Sequence, residues 1–317
     1  MKLIKEIINK NLERAKYFKE LNPIKIHNDL IDENINYLSS DTAFKDIEND
    51  PYWDKWFTPW WRINLFFEMG LFDLVPKKTL NFLEEKINSH YIKFFPFIEE
   101  EIPEGINPIR QIICHCQLGS IYKLFNELNG AINFQWAREW FIKYQLNDGG
   151  LNCDESVYTK ETPKSSLVST LPCLEAVLSI KNLTDKELKF LDKGSDYLIN
   201  KKIFRNSKNE IIDKQWLQAF FPRFYEFDIL RALYFLSEWA VIRKKELPIN
   251  SILETIEILD YQIDNNLIKQ GDLYYLFYRE SNKLFPLLEY FKKSENFGNY
   301  YLSKQWYKTI ENLDKLY

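Results

Sequence analysis

The stretch from Arg138 to Leu151 constrains the fold of this chain more than any other. Its sequence, Arg-Glu-Trp-Phe-Ile-Lys-Tyr-Gln-Leu-Asn-Asp-Gly-Gly-Leu, is typical of an amphipathic helix that ends in a polar turn. Gly149 and Gly150 can adopt a positive φ, which residues with a Cβ avoid, so the chain can leave the helix and reverse direction there. Gln145 falls in the last helical turn, where its amide can bond carbonyls that have no partner within the helix.

Apolar residues recur at three- and four-residue intervals along almost the whole chain, whereas the alternation typical of strands is scarce. The pattern predicts an all-α protein whose short connections place helices beside antiparallel neighbours. Helices that are apolar around most of their circumference alternate with amphipathic ones, which favours an inner ring of helices inside an outer ring. The chain has no Gly/Ser-rich linker, so residues 1–317 are expected to form one domain. We expect twelve helices, at about 2–20, 27–39, 56–70, 77–88, 108–128, 133–146, 165–180, 184–199, 223–243, 249–263, 273–292 and 297–315.

Charge and hydropathy argue against several classes of protein. A formal net charge of −4 argues against a nucleic-acid partner, which favours a basic face. No apolar run approaches the ~18 residues of a transmembrane segment, and charges interrupt the apolar residues at the N-terminus, unlike in a secretory signal. Four cysteines in 317 residues do not make a disulfide scaffold. Reduced thiols and a cytoplasmic location are expected.

Four of the apolar helices begin with a proline that a basic residue follows. Proline suits the first helical turn, but a cation there is less expected because a helix N-terminus is already electropositive. If the inner helices run parallel, these starts meet in one mouth suited to an anionic ligand, such as a diphosphate or a carboxylate. Alternatively, some of the cations are solvated or paired with nearby acids. The four cations are Arg62, Arg110, Lys164 and Arg223.

The segment from Gln145 to Leu151 resembles the QW motif of terpenoid cyclases and protein prenyltransferases, although Leu151 replaces the usual aromatic residue. In that superfamily the Asp-Gly turn leads to an inner helix that starts with a basic residue and serine, here Lys164 and Ser165. The segment 221–233 is similar to inner-helix starts in squalene-cyclase-like bacterial proteins. The resemblance implies an α/α toroid of about six helical hairpins around an aromatic-lined cavity. The Asp-x-Asp-Asp and Asp-Asp-x-x-Asp motifs are absent, so the chemistry of the superfamily does not follow.

A zinc site is one interpretation of the Cys and His residues. Cys114 and Cys116 diverge by ~200° on a helix and cannot share an ion, so Cys116 is expected to be a small core residue. His115, Cys153 and Asp154 could instead supply three zinc ligands and leave an open position. The set resembles the ligands of protein prenyltransferases, in which the histidine comes after the other two ligands.

The same residues are candidates for acid–base or thiol chemistry. Asp154 or Glu155 in an aromatic-walled cavity could have a raised pKa and donate a proton, as could His115. Cys153 activated by His115 could act as a nucleophile. Alternatively, the acidic side chains simply cap the turn.

Aromatic residues and one charged pair are further candidates for the expected site. Trp60, Trp61 and Tyr225 are candidates to line an apolar pocket, although large aromatic side chains most often supply core area. Asp228 and Arg231 stand three residues apart on an expected helix, which favours an ion pair between them.

Three functions remain open from the sequence. The first is an enzyme acting on an apolar small molecule with an anionic head, in the manner of a cyclase or transferase. The second is a carbohydrate-active (α/α)6 enzyme, which would require two carboxyls such as Asp154 and Asp228 to face each other across a groove. The third is a non-catalytic toroid that binds a peptide or protein partner.

Overall fold

The computed structural model describes residues 2–22, 26–90, 115–276, 284–294 and 297–317. Over these residues the structure is predominantly helical with almost no sheet, which confirms the all-α prediction. The described strands, β1 (Ile263–Asp264) and β2 (Leu267–Ile268), form one antiparallel hairpin. The described helices are α1 (Lys2–Phe18), α2 (Asn28–Leu38), α3 (Asp41–Asn49), α4 (Pro59–Glu68), α5 (Lys77–His90), α6 (His115–Asn129), α7 (Trp136–Lys143), α8 (Leu167–Leu178), α9 (Asp185–Asn200), α10 (Ile229–Arg243), α11 (Ile249–Tyr261), α12 (Pro286–Lys293) and α13 (Asn299–Leu316).

Local capping explains where several helices differ from the sequence prediction. Helix α3 was not predicted, and it begins at Ser40, whose hydroxyl accepts the backbone N–H of Ala43. Helix α10 begins six residues later than expected, because the Asp228 carboxylate accepts the N–H of Arg231 at 2.7 Å and fixes the start there. Within the described residues of the expected helix 273–292, only α12 and the short 3-10 helix Tyr274–Leu276 are helical.

Helices α6 and α8 make the most extensive contact between described helices. A Cβ on Gly119 of α6 would lie 2.5 Å from the backbone carbon of Pro172 in α8, so only glycine permits this approach. Helix α8 also packs on α10, and α10 packs on α13. Helix α1 covers α13, while α9 contacts α7, α8, α10 and α11. Consecutive helix contacts thus run from α6 through α8 and α10 to α13.

The turn after α7 reverses the chain at Gly149 as predicted, but α7 ends at Lys143, so Gln145 lies beyond the last helical turn. Gly149 has φ +99°, and the Gln145 amide donates to the carbonyls of Gly149 at 2.7 Å and of Phe190 in α9 at 2.9 Å. The Asp148 carboxylate accepts the N–H of Ser165 at 3.1 Å. These bonds join the end of α7 to α9 and to the start of α8.

Candidate functional site

A cleft of about 550 Å³ opens where α4, α6, α8, α10 and α13 approach one another. We call it the central cleft and define it by Glu68, Lys123, Glu175, Arg231 and Lys304, one residue from each helix. Glu68 and Glu175 lie near the C-terminal ends of α4 and α8, whereas Arg231 lies in the first turn of α10. The sequence predicted a mouth formed by helix N-termini, but both ends of helices contribute to this cleft.

A buried ion pair forms the floor of the central cleft. The guanidinium of Arg231 donates two hydrogen bonds of 2.8 Å to the Glu175 carboxylate, which also accepts one from Lys123 at 3.2 Å. Burial raises the pKa of Glu175, but the charges and hydrogen bonds of Arg231 and Lys123 outweigh it and hold the pKa well below its usual range. Arg231 also donates to the carbonyl of Glu226 at 2.7 Å. The sequence prediction that Arg231 pairs with Asp228 is wrong, because the Asp228 carboxylate pairs with Arg223 and accepts only the backbone N–H of Arg231.

A second buried pair lies beside the first. Arg223 forms an ion pair with Asp228, which is fully buried, and donates a 2.5 Å hydrogen bond to the Gln305 side chain. Gln305 belongs to α13, so Arg223 joins the segment before α10 to α13. A buried guanidinium that is held by both an ion pair and a hydrogen bond has little freedom to reorient. Arg223 therefore shapes the wall of the central cleft.

Glu68 fixes the loop that enters α10. Its carboxylate accepts the backbone N–H of Arg223 at 2.8 Å and also that of Phe224. Phe224 has φ +55°, a left-handed conformation that costs about 1–3 kcal/mol for a residue with a side chain. The two hydrogen bonds offset this cost. Burial nevertheless raises the pKa of Glu68 above its ordinary value of 4.5.

The rim of the central cleft is cationic and its walls are aromatic. Lys304 and Lys308 are exposed and stand four residues apart, on one face of α13. Within the described ranges, neither ammonium group has a carboxylate at ion-pairing distance. Tyr234, Tyr300 and Tyr301 contribute aromatic surface to the same cleft. The cleft therefore combines apolar surface with positive charge.

The structure does not bring the four predicted cations to one mouth. Arg223 lines the central cleft, but Arg62 is buried elsewhere, 3.0 Å from the Glu33 carboxylate and stacked over Tyr37 at 3.9 Å. Lys164 is exposed and does not line the cleft. Arg110 lies outside the described residues.

The predicted aromatic residues are part of the core. Trp60 and Trp61 are buried, and the Trp61 indole donates to the carbonyl of Tyr52 at 2.8 Å. The Tyr225 hydroxyl accepts a 2.7 Å hydrogen bond from Lys55. These three aromatic residues do not line the central cleft, which uses aromatic residues of α10 and α13 instead.

His115 and Cys153 do lie close together, as expected. His115 is fully buried, and its Nδ1 lies 2.9 Å from the carbonyl of Asn152, next to Cys153 in sequence. Cys116 is buried in the core, as predicted. This cluster at the start of α6 does not line the central cleft.

The Asp154 side chain caps the turn that follows it. Asp154 is exposed and accepts hydrogen bonds from the backbone and the hydroxyl of Ser156, at 3.1 and 2.7 Å. The Ser156 hydroxyl bond lowers the pKa of Asp154, which is the opposite of the shift expected for a proton donor. Glu155 begins the short 3-10 helix Glu155–Thr159. The Ser165 hydroxyl donates to Asp148 and so belongs to the turn rather than to the cleft.

The predicted zinc ligands do not converge on one point. The Asp154 carboxylate lies at the surface and accepts a hydrogen bond from Ser156. His115 is buried, and its Nδ1 lies at hydrogen-bonding distance from the carbonyl of Asn152. Among the residues that the structure describes, no three His, Cys, Asp or Glu side chains are placed to hold a metal ion. The residues present do not fit a zinc site, and we derive no chemistry through one.

Sequence reasoning missed most of the central cleft. Glu68, Lys123 and Glu175 belong to no motif, and no spacing in the sequence distinguishes them from surface charges. Lys304 and Lys308 carry the one usable signal, because two lysines four residues apart share a helix face. Nothing in the sequence shows that this face meets Glu175 and Arg231.

Comparison with known proteins found no matching family model, no matching curated protein and no matching solved structure. Across the described part of the chain, no helix is long and apolar enough to span a lipid bilayer. The function must therefore be argued from the central cleft.

Proposed function

We propose that the chain is an α/α toroid of about six helical hairpins, with α4, α6, α8, α10 and α13 as its inner helices. Two observations support this arrangement. All five helices contribute to the central cleft, and α6, α8, α10 and α13 pack in succession. The resemblance of the Gln145 turn to the QW motif is consistent with it, since that turn joins α7 to α9 on the outside of α8.

We propose that the protein is an enzyme that binds a largely apolar small molecule with an anionic head in this cleft. The observation that carries the proposal is the cationic rim above aromatic walls. Lys304 and Lys308 can each donate to an anion, and Lys123, 38% exposed in its side chain, reaches the same space. Tyr300 and Tyr301 supply apolar surface for the rest of the molecule. A diphosphate or a carboxylate is the expected head group.

Two carboxyl groups in the cleft support proton transfer. Burial favours the protonated form of Glu68, whereas Arg231 and Lys123 keep Glu175 ionised. Pairs of acids whose environments move their pKa values in opposite directions are typical of acid–base sites. Glu68 is therefore our candidate proton donor, in place of Asp154 and Glu155.

A carbohydrate-active enzyme is the second candidate. It requires two carboxyls and aromatic surfaces, which the central cleft offers in Glu68, Glu175 and its tyrosines. The pair expected from the sequence does not serve, because Asp228 is fully buried and Asp154 is an exposed cap. The cationic rim favours an anionic ligand over a neutral sugar.

Calorimetric titration with inorganic diphosphate, decyl phosphate and decanol tests the proposed ligand. We expect decyl phosphate to bind most tightly, because it uses both the rim and the aromatic walls. The double substitution Lys304→Gln and Lys308→Gln should lower the affinity for both anions by about tenfold or more, which corresponds to about 1.4 kcal/mol.

The matched control is the double substitution Lys2→Gln and Lys5→Gln in α1. Both lysines are exposed, so this variant loses the same charge away from the cleft. The control should bind the anions as the wild type does. Equal losses in both double variants would show that net charge alone acts. Binding of decanol but of neither anion would contradict the anionic head, and binding of a neutral oligosaccharide alone would favour the second candidate.

A further inference from the structure

Two thiols from distant parts of the chain meet at the start of α6. The sulfur atoms of Cys116 and Cys153 are 3.5 Å apart, although 37 residues separate them in sequence. The backbone N–H of Cys116 points at the Cys153 sulfur, with 3.4 Å between nitrogen and sulfur. A disulfide requires about 2.05 Å, so the sulfurs are in contact without being bonded, and side-chain rotation must shorten the gap by about 1.5 Å.

The fold holds both backbones in place around this contact. The N–H of Cys153 donates to the Ser169 hydroxyl at 3.0 Å, which ties the loop to α8. On the other side, Asn152 is bonded through its N–H to Tyr158 at 3.1 Å and through its carbonyl to His115. The loop therefore cannot drift from α6, and the two thiols stay in reach of each other.

The two thiols differ in their access to solvent. Cys153 is half-buried on the loop, whereas Cys116 is 5% exposed. Oxidation by a small hydroperoxide begins at an accessible thiol, and a neighbouring thiol then completes the disulfide. We propose that Cys116 and Cys153 are a dithiol that hydrogen peroxide converts to an intramolecular disulfide, and that Cys153 is oxidised first.

The chemistry balances without a further reactant. The Cys153 thiolate attacks one peroxide oxygen, the O–O bond breaks, and the sulfenic acid forms while the departing hydroxide takes up a proton to give water. The Cys116 sulfur then attacks the Cys153 sulfur, so that the S–S bond forms and the S–O bond breaks. The second oxygen leaves as water. The two thiols lose two electrons and two protons, and one peroxide is reduced to two waters.

Cys173 belongs to the same cluster but is not the expected partner. Its sulfur lies 3.1 Å from the carbonyl oxygen of His115 and 3.5 Å from that of Ser169, so its S–H can donate to either one, and the residue is fully buried. It therefore provides a matched control from the same part of the core. Cys114 lies outside the described residues and in the same tryptic peptide as Cys116, so fragment ions must distinguish the two.

The test treats the full chain with hydrogen peroxide, alkylates the remaining thiols and maps the tryptic peptides without reduction. We expect a cross-link between peptides 111–123 and 144–160, lighter by two hydrogens than their sum, with fragment ions that place the bond on Cys116. Alkylation in denaturant, which exposes the buried thiols, should detect two thiols after peroxide treatment of the folded protein and four without treatment. The Cys173→Ser and Cys114→Ser variants should form the same cross-link.

Two variants make the order of events visible. Cys116→Ser should stop at the sulfenic acid on Cys153, which dimedone traps, while Cys153→Ser should give no cross-link between these peptides. Circular dichroism confirms that each variant is folded. Four alkylatable thiols after treatment of the wild type, or a bond to Cys114 or Cys173 instead, would overturn the proposal. None of these outcomes depends on what the central cleft binds.

Discussion

Glu68 and Glu175 show how one cleft gives the same functional group two different environments. Glu175 faces the guanidinium of Arg231 and the ammonium of Lys123, so its ionised form is stabilised. Glu68 accepts two backbone N–H groups, but burial dominates and its pKa rises. Arg223 and Arg231 also lower the pKa of Glu68 through their charges, but Glu175 in addition accepts direct side-chain hydrogen bonds from Arg231 and Lys123, which outweigh its burial.

The two acids should therefore affect stability in opposite directions with pH. The folded pKa of Glu175 is depressed below 4.5, so its stabilisation is present above that pH and is lost as the pH falls. The folded pKa of Glu68 is raised, so its contribution is present below 4.5 and is lost as the pH rises through the folded value. In urea unfolding, the wild type should be more stable than each variant by an amount that changes with pH. Its advantage over Glu175→Gln should shrink as the pH falls below 4.5, and its advantage over Glu68→Gln should shrink as the pH rises above 4.5.

Glu85→Gln is the control for this pair, because Glu85 is exposed on α5. Its free energy of unfolding should stay within about 0.5 kcal/mol of the wild type at every pH. Parallel pH profiles for the two cleft variants would show that their environments do not differ as the contacts indicate.

At the scale of elements, backbone contact between α6 and α8 sets the geometry of the cleft. Gly119 brings the two helices together, and one helical turn later Lys123 of α6 reaches Glu175 of α8. The position of the ammonium relative to the carboxylate thus depends on a residue that carries no functional group.

Gly119→Ala should destabilise the protein by about 1–3 kcal/mol, because the added methyl group meets the backbone of Pro172 and Cys173 and forces the helices apart. Gly194→Ala on α9 is the matched control. There the methyl group meets the end of the Leu174 side chain, which can rotate, and alanine favours the helix by about 1 kcal/mol over glycine. Urea unfolding should show the larger loss for Gly119→Ala, and equal losses would contradict the argument.

At the scale of the molecule, the two ends of the chain are joined through buried polar groups. The Asn11 amide of α1 donates to Asp260 of α11 at 2.7 Å, and its oxygen accepts the indole N–H of Trp306 in α13 at 3.1 Å. Asn11 and Trp306 are 295 residues apart and both are fully buried. The first helix is therefore part of the same core as the last.

Asn11→Ala should cost about 1–3 kcal/mol, because it leaves the buried Trp306 N–H without its acceptor. If residues 1–317 form one cooperative domain, tryptophan fluorescence and far-UV circular dichroism should shift to the same lower urea midpoint. Lys10→Ala provides the control. Lys10 also bonds Asp260, but its side chain is 53% exposed, so its loss should cost about 0–1 kcal/mol. Separate transitions for the two probes would contradict a single domain.

The sequence determined the helical class, most helix positions and the turn at Gln145, because these depend on residues that are neighbours along the chain. Apolar spacing marks a helix face, and glycine marks a reversal, whatever the rest of the molecule does. The late start of α10 and the unpredicted α3 followed from single capping residues, Asp228 and Ser40, whose signals are short and common.

Only the tertiary structure decided which charges meet. Arg62 and Arg223 each follow a proline within three residues. Arg62 nevertheless pairs with Glu33 away from the central cleft, whereas Arg223 lines the cleft. Glu175 and Arg231 are 56 residues apart, and their pairing depends on how α8 packs against α10. Charged side chains act over a few ångströms in space, and that distance is fixed by helix packing rather than by separation along the chain.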